Sequence, residues 1–323
     1  MNWIAPMEPV TSSRVKEAES FIHEIKYDGI RGLLYFEGSG FRIFTKKGNE
    51  RTGFYPELKV LNALVDDRQL VLDGEIYVDG KNGKPAFHDV LVRETVRTER
   101  NLQYYVRNYP AKYVVFDILQ MNGRLLTGLP LFERKELLDQ IMEPVIDQSE
   151  NIFKSQVFSN GTELFEDMRE RNMEGIVSKK LDSRYVGGKK HEEWFKTKFV
   201  KKMLCIVGGI QWKEQKPNSL LVGFKPEDRD RLVFMGKASL GLKESDLLLL
   251  KQFKHQLLQR DCPFEEEGIT GLERNLQITW ISPVLTCWIS FLELSNDGHF
   301  RHPKILGFTG LPAGEATGKV LTV

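Results

Sequence analysis

Cysteine, long apolar runs and net charge are all scarce in this chain of 323 residues. Its three cysteines, Cys205, Cys262 and Cys287, are odd in number and far apart, which excludes a disulfide framework and a Cys-x-x-Cys zinc site and suits a reducing cytoplasm. No apolar run reaches the roughly 18 residues of a membrane span, and Met-Asn-Trp-Ile-Ala-Pro-Met-Glu-Pro at the start is not a signal peptide. A cytoplasmic protein is expected. Lys plus Arg number 46 against 45 Asp plus Glu, a net +1 that by itself points to no polyanionic partner.

That total averages two opposed stretches. Lys179 to Lys202 holds nine basic and three acidic residues, whereas Glu133 to Glu170 holds ten acidic and four basic. At roughly 150 residues per domain the length fits two domains, and composition is that of a globular protein. Residues 1–202 read as short strands around helices: Phe21 to Ile25, Leu33 to Phe36, Phe41 to Phe44, Leu70 to Leu72, Ile76 to Val78 and Tyr113 to Ile118, with helical patterns at Phe54 to Leu64, Glu133 to Val145 and Thr162 to Arg171, the last capped by Thr162. Residues 203–323 restart with Met203 to Ile210, Leu220 to Phe224 and Leu232 to Met235. A helix opened by Ser245 and strands Leu276 to Trp280 and Leu285 to Leu294 follow. The fold class expected is α+β: antiparallel sheets with flanking helices, then an oligonucleotide/oligosaccharide-binding (OB-fold) β-barrel. Pro312 to Val323 read as a frayed tail.

Lys26-Tyr-Asp-Gly-Ile-Arg31 follows the first of these strands. Alone, it reads equally as a surface turn or as a nucleophile; a lysine amine acts as a nucleophile only when neighbouring cations or a metal promote its neutral form. Lys196 and Lys198, two apart on an expected strand, face one side and suit a phosphate or a solvated face. Phe116, inside Val-Val-Phe-Asp-Ile, reads alone as core, and Glu75 and Arg31 alone read as surface charges.

Seven segments stand in one order: Glu24-Ile-Lys-Tyr-Asp-Gly-Ile-Arg31; Thr45-Lys-Lys-Gly48 with Thr52-Gly-Phe-Tyr-Pro-Glu-Leu58; Leu72-Asp-Gly-Glu75; Val115-Phe-Asp-Ile118; Glu174-Gly-Ile-Val-Ser-Lys179; Trp194-Phe-Lys-Thr-Lys198; and Phe300-Arg-His-Pro303. In this the chain resembles the ATP-dependent DNA ligases of the covalent nucleotidyltransferase superfamily, most closely the ligase module of bacterial end-joining (LigD-type) ligases, from Pro6-Met7 to about Phe308. The resemblance implies an adenylation domain followed by the barrel. Lys26 would attack the α-phosphate of ATP to form lysyl-AMP, with Lys196 and Lys198 on the phosphates and Asp28 and Glu174 holding Mg2+ or Mn2+. Glu75 and Arg31 would contact the sugar, Phe116 would stack on adenine, and Glu24 would read the base edge. Lys46 and Arg301 complete the nucleotide-binding set, Arg301 by closure of the second domain about Val200 to Met203.

Relatives that use NAD carry an extra N-terminal module and a four-cysteine zinc site, whereas 25 residues precede Lys26 and no cysteine cluster is present, so ATP is the expected donor. The chain departs from the family pattern at Thr45-Lys46, where Ser-Arg is usual, and at Thr309-Gly-Leu-Pro312, where Arg-x-Asp-Lys is usual. Lysine keeps the charge and loses the two-pronged guanidinium. The partners implied are nicked or broken duplex DNA, gripped by phosphate contacts without base reading, and a bacterial Ku end-binding protein, with the chain a monomer. The other classes are an RNA-capping guanylyltransferase, an RNA ligase and a non-catalytic nick-binding protein.

Overall fold

The computed structural model describes residues 2–322 except 39, 65–68, 81–82, 97, 147–148, 266–268, 271, 273–275 and 296. The chain divides into two compact units, Met1–Lys198 and Phe199–Val323. The expected boundary at Lys202 lies four residues further on, inside the first strand of the second unit.

In the first unit, strands β1 (Glu8–Thr11), β2 (Phe21–Ile25), β9 (Gly175–Lys180) and β10 (Lys190–Lys198) form a four-stranded sheet in the order β1-β10-β9-β2. A second sheet runs β4 (Gly40–Thr45), β3 (Ile30–Glu37), β5 (Leu70–Val78), β6 (Ala111–Met121) and β7 (Arg124–Leu125), with β8 (Ile152–Lys154) paired to β6. Pairing is antiparallel except β1 with β10 and β6 with β8. Helices α1 (Leu61–Leu64), α2 (Phe87–Glu94), α3 (Glu99–Asn108), α4 (Leu131–Ile146) and α5 (Gly161–Glu170) connect them. One core, with Leu34, Leu72, Tyr113 and Leu138, packs β3, β5 and β6 against α4; a second, with Met7, Leu33, Val71, Tyr185 and Trp194, brings the two sheets together. Burying such side chains supplies the main favourable term, at about 25 cal/mol per Å² of apolar surface.

Several expectations differ in detail. Leu70–Val78 is one strand, not the two expected at Leu70 to Leu72 and Ile76 to Val78. Gly74 is in mid-strand because a Cβ there would lie 2.4 Å from the Val114 carbonyl oxygen and 2.6 Å from the Tyr113 ring. The first helical pattern is instead two 3-10 turns, Thr52–Phe54 and Pro56–Val60, leading into α1. Pro56 opens the second turn without a backbone N–H to give. Asn160 caps α5, its side chain accepting from the Glu163 N–H at 3.0 Å, in place of Thr162. Helices α2 and α3 were not read from the sequence.

The second unit is the OB-fold barrel. Strands β11 (Lys201–Lys213), β12 (Lys216–Phe224), β13 (Val233–Ala238), β14 (Gln277–Phe291) and β17 (Lys304–Thr309) pair in the order β13-β12-β11-β14-β17, with α6 (Glu244–Leu257) against β12 and β14. The short β15 (Glu293–Leu294) and β16 (Phe300–Arg301) form a hairpin. The tail is built in, contrary to expectation. Ala316 is fully buried and accepts from the Lys225 N–H, and β18 (Val320–Thr322) pairs with β11. Thr309–Pro312 belong to this framework: the Thr286 hydroxyl donates to the carbonyls of Thr309 and Leu311, and Leu311 packs against the second core of the barrel.

Candidate active site

A cavity of about 670 Å³ opens in the first unit, lined among others by Glu24, Lys26, Arg31, Lys46, Glu75, Phe116, Lys179, Trp194 and Lys196. Seven of the expected side chains therefore reach one hollow from segments as far apart as β2 and β10.

Lys26 follows β2, its N–H donating to the Gly175 carbonyl at 3.0 Å. Gly175 sits at φ +144°, where a Cβ would come within 2.1 Å of the Thr197 carbonyl oxygen, and pairs with Lys198. That close approach sets Glu174 between two lysines: Lys26 Nζ is 2.6 Å from its Oε2, and the Lys198 ammonium meets Oε1. Burial presses the Lys26 ammonium towards neutrality, yet the carboxylates of Glu174, Glu75 and Asp28 outweigh it and lift the pKa above the ordinary lysine value. Lys196 moves the other way, lowered by burial and by the charges of Lys198, Lys26 and Lys190.

The facing sheet supplies Arg31 and Glu75, paired in register across β3 and β5. The Arg31 guanidinium holds Asp73 through two bonds of 2.5 Å, and the Tyr185 hydroxyl donates to the same carboxylate. Burial pushes the Glu75 carboxyl up to about 7 against the pull of Lys26 and Arg31. Phe116 does not sit in the core as its apolar surroundings suggest. Asp73 faces Asp117 and Gly74 faces Val115, so Phe116 is the extra residue of a β-bulge, which turns its ring to the cavity. Arg31 Cζ lies 4.5 Å and Lys179 Nζ 4.3 Å from its centroid.

Glu24, almost wholly buried, accepts from Lys179 Nζ at 2.8 Å and the Ser155 hydroxyl at 3.1 Å on Oε2, and its Oε1 forms an ion pair with the Lys135 ammonium. Lys179 also lies 4.4 Å from the Trp194 ring, and burial brings its pKa down to about 8. Lys46, half-exposed, pairs with Glu8 at 2.6 Å. Arg301 belongs to the second unit, where it pairs with Glu293 at 2.8 Å. Among the described residues no three His, Cys, Asp or Glu side chains converge as a metal-binding group. Sequence reasoning left out Asp73, Lys135, Lys179 and Tyr185. The available signal for Asp73 was its place two residues before Glu75 on one strand face; Lys179 ends a segment already singled out, whereas Lys135 and Tyr185 carried none.

The family model for the ATP-dependent DNA ligase domain matches residues 6–198, and that for the ATP-dependent DNA ligase C-terminal region matches residues 213–309. The chain belongs to the ATP-dependent DNA ligases. It is 29% identical over 94% of its length to the multifunctional non-homologous end joining protein LigD of Mycolicibacterium smegmatis, and 26% identical over 79% to DNA ligase 2 of Methanosarcina acetivorans. It spans 38% of the first relative and 47% of the second. Among solved structures, the ligase domain of M. tuberculosis LigD superposes with a TM-score of 0.56 at 25% identity, covering 97% of each chain. A mycobacterial DNA ligase D complexed with ATP and MES gives 0.55 at 26%, again over 97% of each chain. The ligase family thus accounts for both units, and neither a guanylyltransferase nor an RNA ligase is favoured. Among the described residues no helix is long and apolar enough to cross a membrane.

Proposed function

We propose that this ligase seals 5′-phosphate/3′-hydroxyl nicks or breaks in duplex DNA, with Lys26 as the nucleophile. The Lys26 amine attacks the α-phosphorus of ATP; the N–P bond forms, the Pα–O bond to pyrophosphate breaks, and the amine gives up a proton. AMP then passes to the DNA 5′-phosphate, and the neighbouring 3′-hydroxyl attacks that phosphorus and expels AMP. The observation that carries this reading is the placement of Lys26 in a cavity beside Lys196, Lys198 and a half-buried aromatic ring. Cations set in advance around developing phosphate charge are the main source of rate in such transfers.

Lys196, Lys198 and Lys46 take the phosphates in this assignment, Arg31 and Glu75 the sugar, Phe116 the face of adenine and Glu24 its edge, with Arg301 acting in the first step from the second unit. Asp28 and Glu174 suit Mg2+ or Mn2+, because an all-oxygen pair fits a hard cation that keeps most of its ligands as water and phosphate oxygen. Such an ion supplies charge neutralisation on the phosphates. Incubation with α-labelled ATP and Mg2+ gives a labelled protein band that Lys26→Ala loses; a band surviving that change, or one formed only with GTP, overturns the reading.

End joining in a bacterial cytoplasm, at the nucleoid and with the chain as a monomer, is the setting we assign. The support is the end-joining role for which the LigD relatives are named. The partner that fits is a Ku-type protein holding duplex ends. Stimulation of end sealing by bacterial Ku tests it, and equal sealing with and without Ku removes it.

A further inference from the structure

Lys135 belongs to none of the segments that mark the family, and it does not line the cavity. It nevertheless reaches Glu24, the carboxylate assigned above to the base edge. Helix α4 carries it, and the preceding residue fixes that helix. Arg134, fully buried, grips both oxygens of Asp117 on β6 at 2.8 and 2.9 Å and donates to the carbonyls of Leu129 and Ser183. Asp117 is the neighbour of Phe116, so the bulge and the start of α4 are held as one piece. Lys135 then lies on Glu24 Oε1, while Lys179 and Ser155 occupy Oε2.

The geometry points to Lys135 as a positioning residue that sets base specificity by keeping Glu24 an ionised acceptor. A carboxylate offers about four lone-pair directions and no proton. Lys179 and Ser155 take Oε2 and the Lys135 ammonium charge lies against Oε1, so the acceptor capacity left on Oε1 matches the 6-amino donor of adenine and opposes the 6-oxo acceptor of a hypoxanthine or guanine base. Burial alone would push the Glu24 carboxyl up, and the Lys135 and Lys179 ammonium groups outweigh it and hold it below the ordinary carboxylate range. This inference rests on the assignment of Glu24 to the base edge.

The test is lysyl-AMP or lysyl-IMP formation by the full chain with ATP or inosine triphosphate, which differ at position 6 of the purine. Hydrogen bonds to charged groups are worth about 1.5–3 kcal/mol, so wild type favours ATP by about tenfold or more, and Lys135→Met lowers that preference by about tenfold through the KM for ATP. Lys135→Arg restores it. In a Glu24→Gln background Lys135→Met adds no further change, an outcome that a purely structural role does not give. Thermal melts of each variant establish that it is folded, and Lys135→Gln serves if the methionine variant is not. An unchanged preference in folded Lys135→Met and Lys135→Gln, with Glu24→Gln altered, overturns the role of Lys135 alone. An unchanged preference in Glu24→Gln overturns the assignment of Glu24 and this inference with it.

Discussion

The two ends of the ligase cavity hold charge in opposite ways. At the end we assign to the phosphates, the phosphate end, Lys26 and Lys198 share Glu174, and all three side chains keep between 18 and 26% of their surface in contact with solvent. At the end we assign to adenine, the base end, Lys179 and Glu24 are each 3% exposed and sit among Lys135, Ser155 and two aromatic rings. A partly exposed ion pair trades its partner for a phosphate at smaller cost than a fully buried one, which is costly to break and so fixes geometry. The first end is suited to chemistry that moves charge, the second to recognition that must not move.

The largest effects belong to the phosphate end. Lys26→Ala brings α-labelled AMP transfer to background, measured as a denatured, labelled band. Glu174→Gln lowers the same transfer by roughly 10²–10³, the range for loss of one charged group that organises a transition state, with little change in melting temperature. If Glu174→Gln instead unfolds the protein, the phosphate end is as structural as the base end and the contrast fails.

The base end answers in stability. Asp117→Asn leaves Arg134 buried without its charge partner and costs about 3–5 kcal/mol, read by thermal or denaturant unfolding. Gly74→Ala pushes a methyl group into the Val114 carbonyl and the Tyr113 ring and costs about 1–3 kcal/mol, and it also loosens the register that turns Phe116 out. A loss of ATP binding without a loss of stability in Gly74→Ala would mean that the bulge serves the site alone.

The same division explains how far the sequence could be read. The phosphate end was legible in part: the two-residue spacing of Lys196 and Lys198 put them on one strand face, and the ordered segments of the family resemblance pointed to Lys26 and Glu174, which the fold brings together with Lys198. Strands β2 to β6 and β11 to β14 were legible from apolar runs, and the OB-fold from its strand and helix content. Long-range packing was not. Phe116 faces the cavity because of a register shift against β5, Gly74 continues a strand because of a ring on β6, and Ala316 anchors a tail whose composition reads as loose. Lys135 touches Glu24, 111 positions away, on a helix whose charged residues look like an ordinary solvated face.

The smallest effect is a titration, and it sets the two ends directly against each other. Lys179 has its pKa brought down to about 8 by burial, so between that value and the ordinary lysine range the unfolded chain binds a proton that the fold does not. The stability contributed by this group rises with pH across that window. Lys26 is raised above the ordinary value by its carboxylates, so its contribution is fully present below the ordinary lysine pKa and is lost as pH climbs through the folded one. In ¹³Cε-lysine NMR spectra, with Lys179→Met and Lys26→Ala used for assignment, one signal moves near pH 8 and the other only above the bulk of the lysines. If the Lys179 signal also waits until the bulk titrates, Glu24 compensates its burial completely, and the base end is rigid by packing and not by charge.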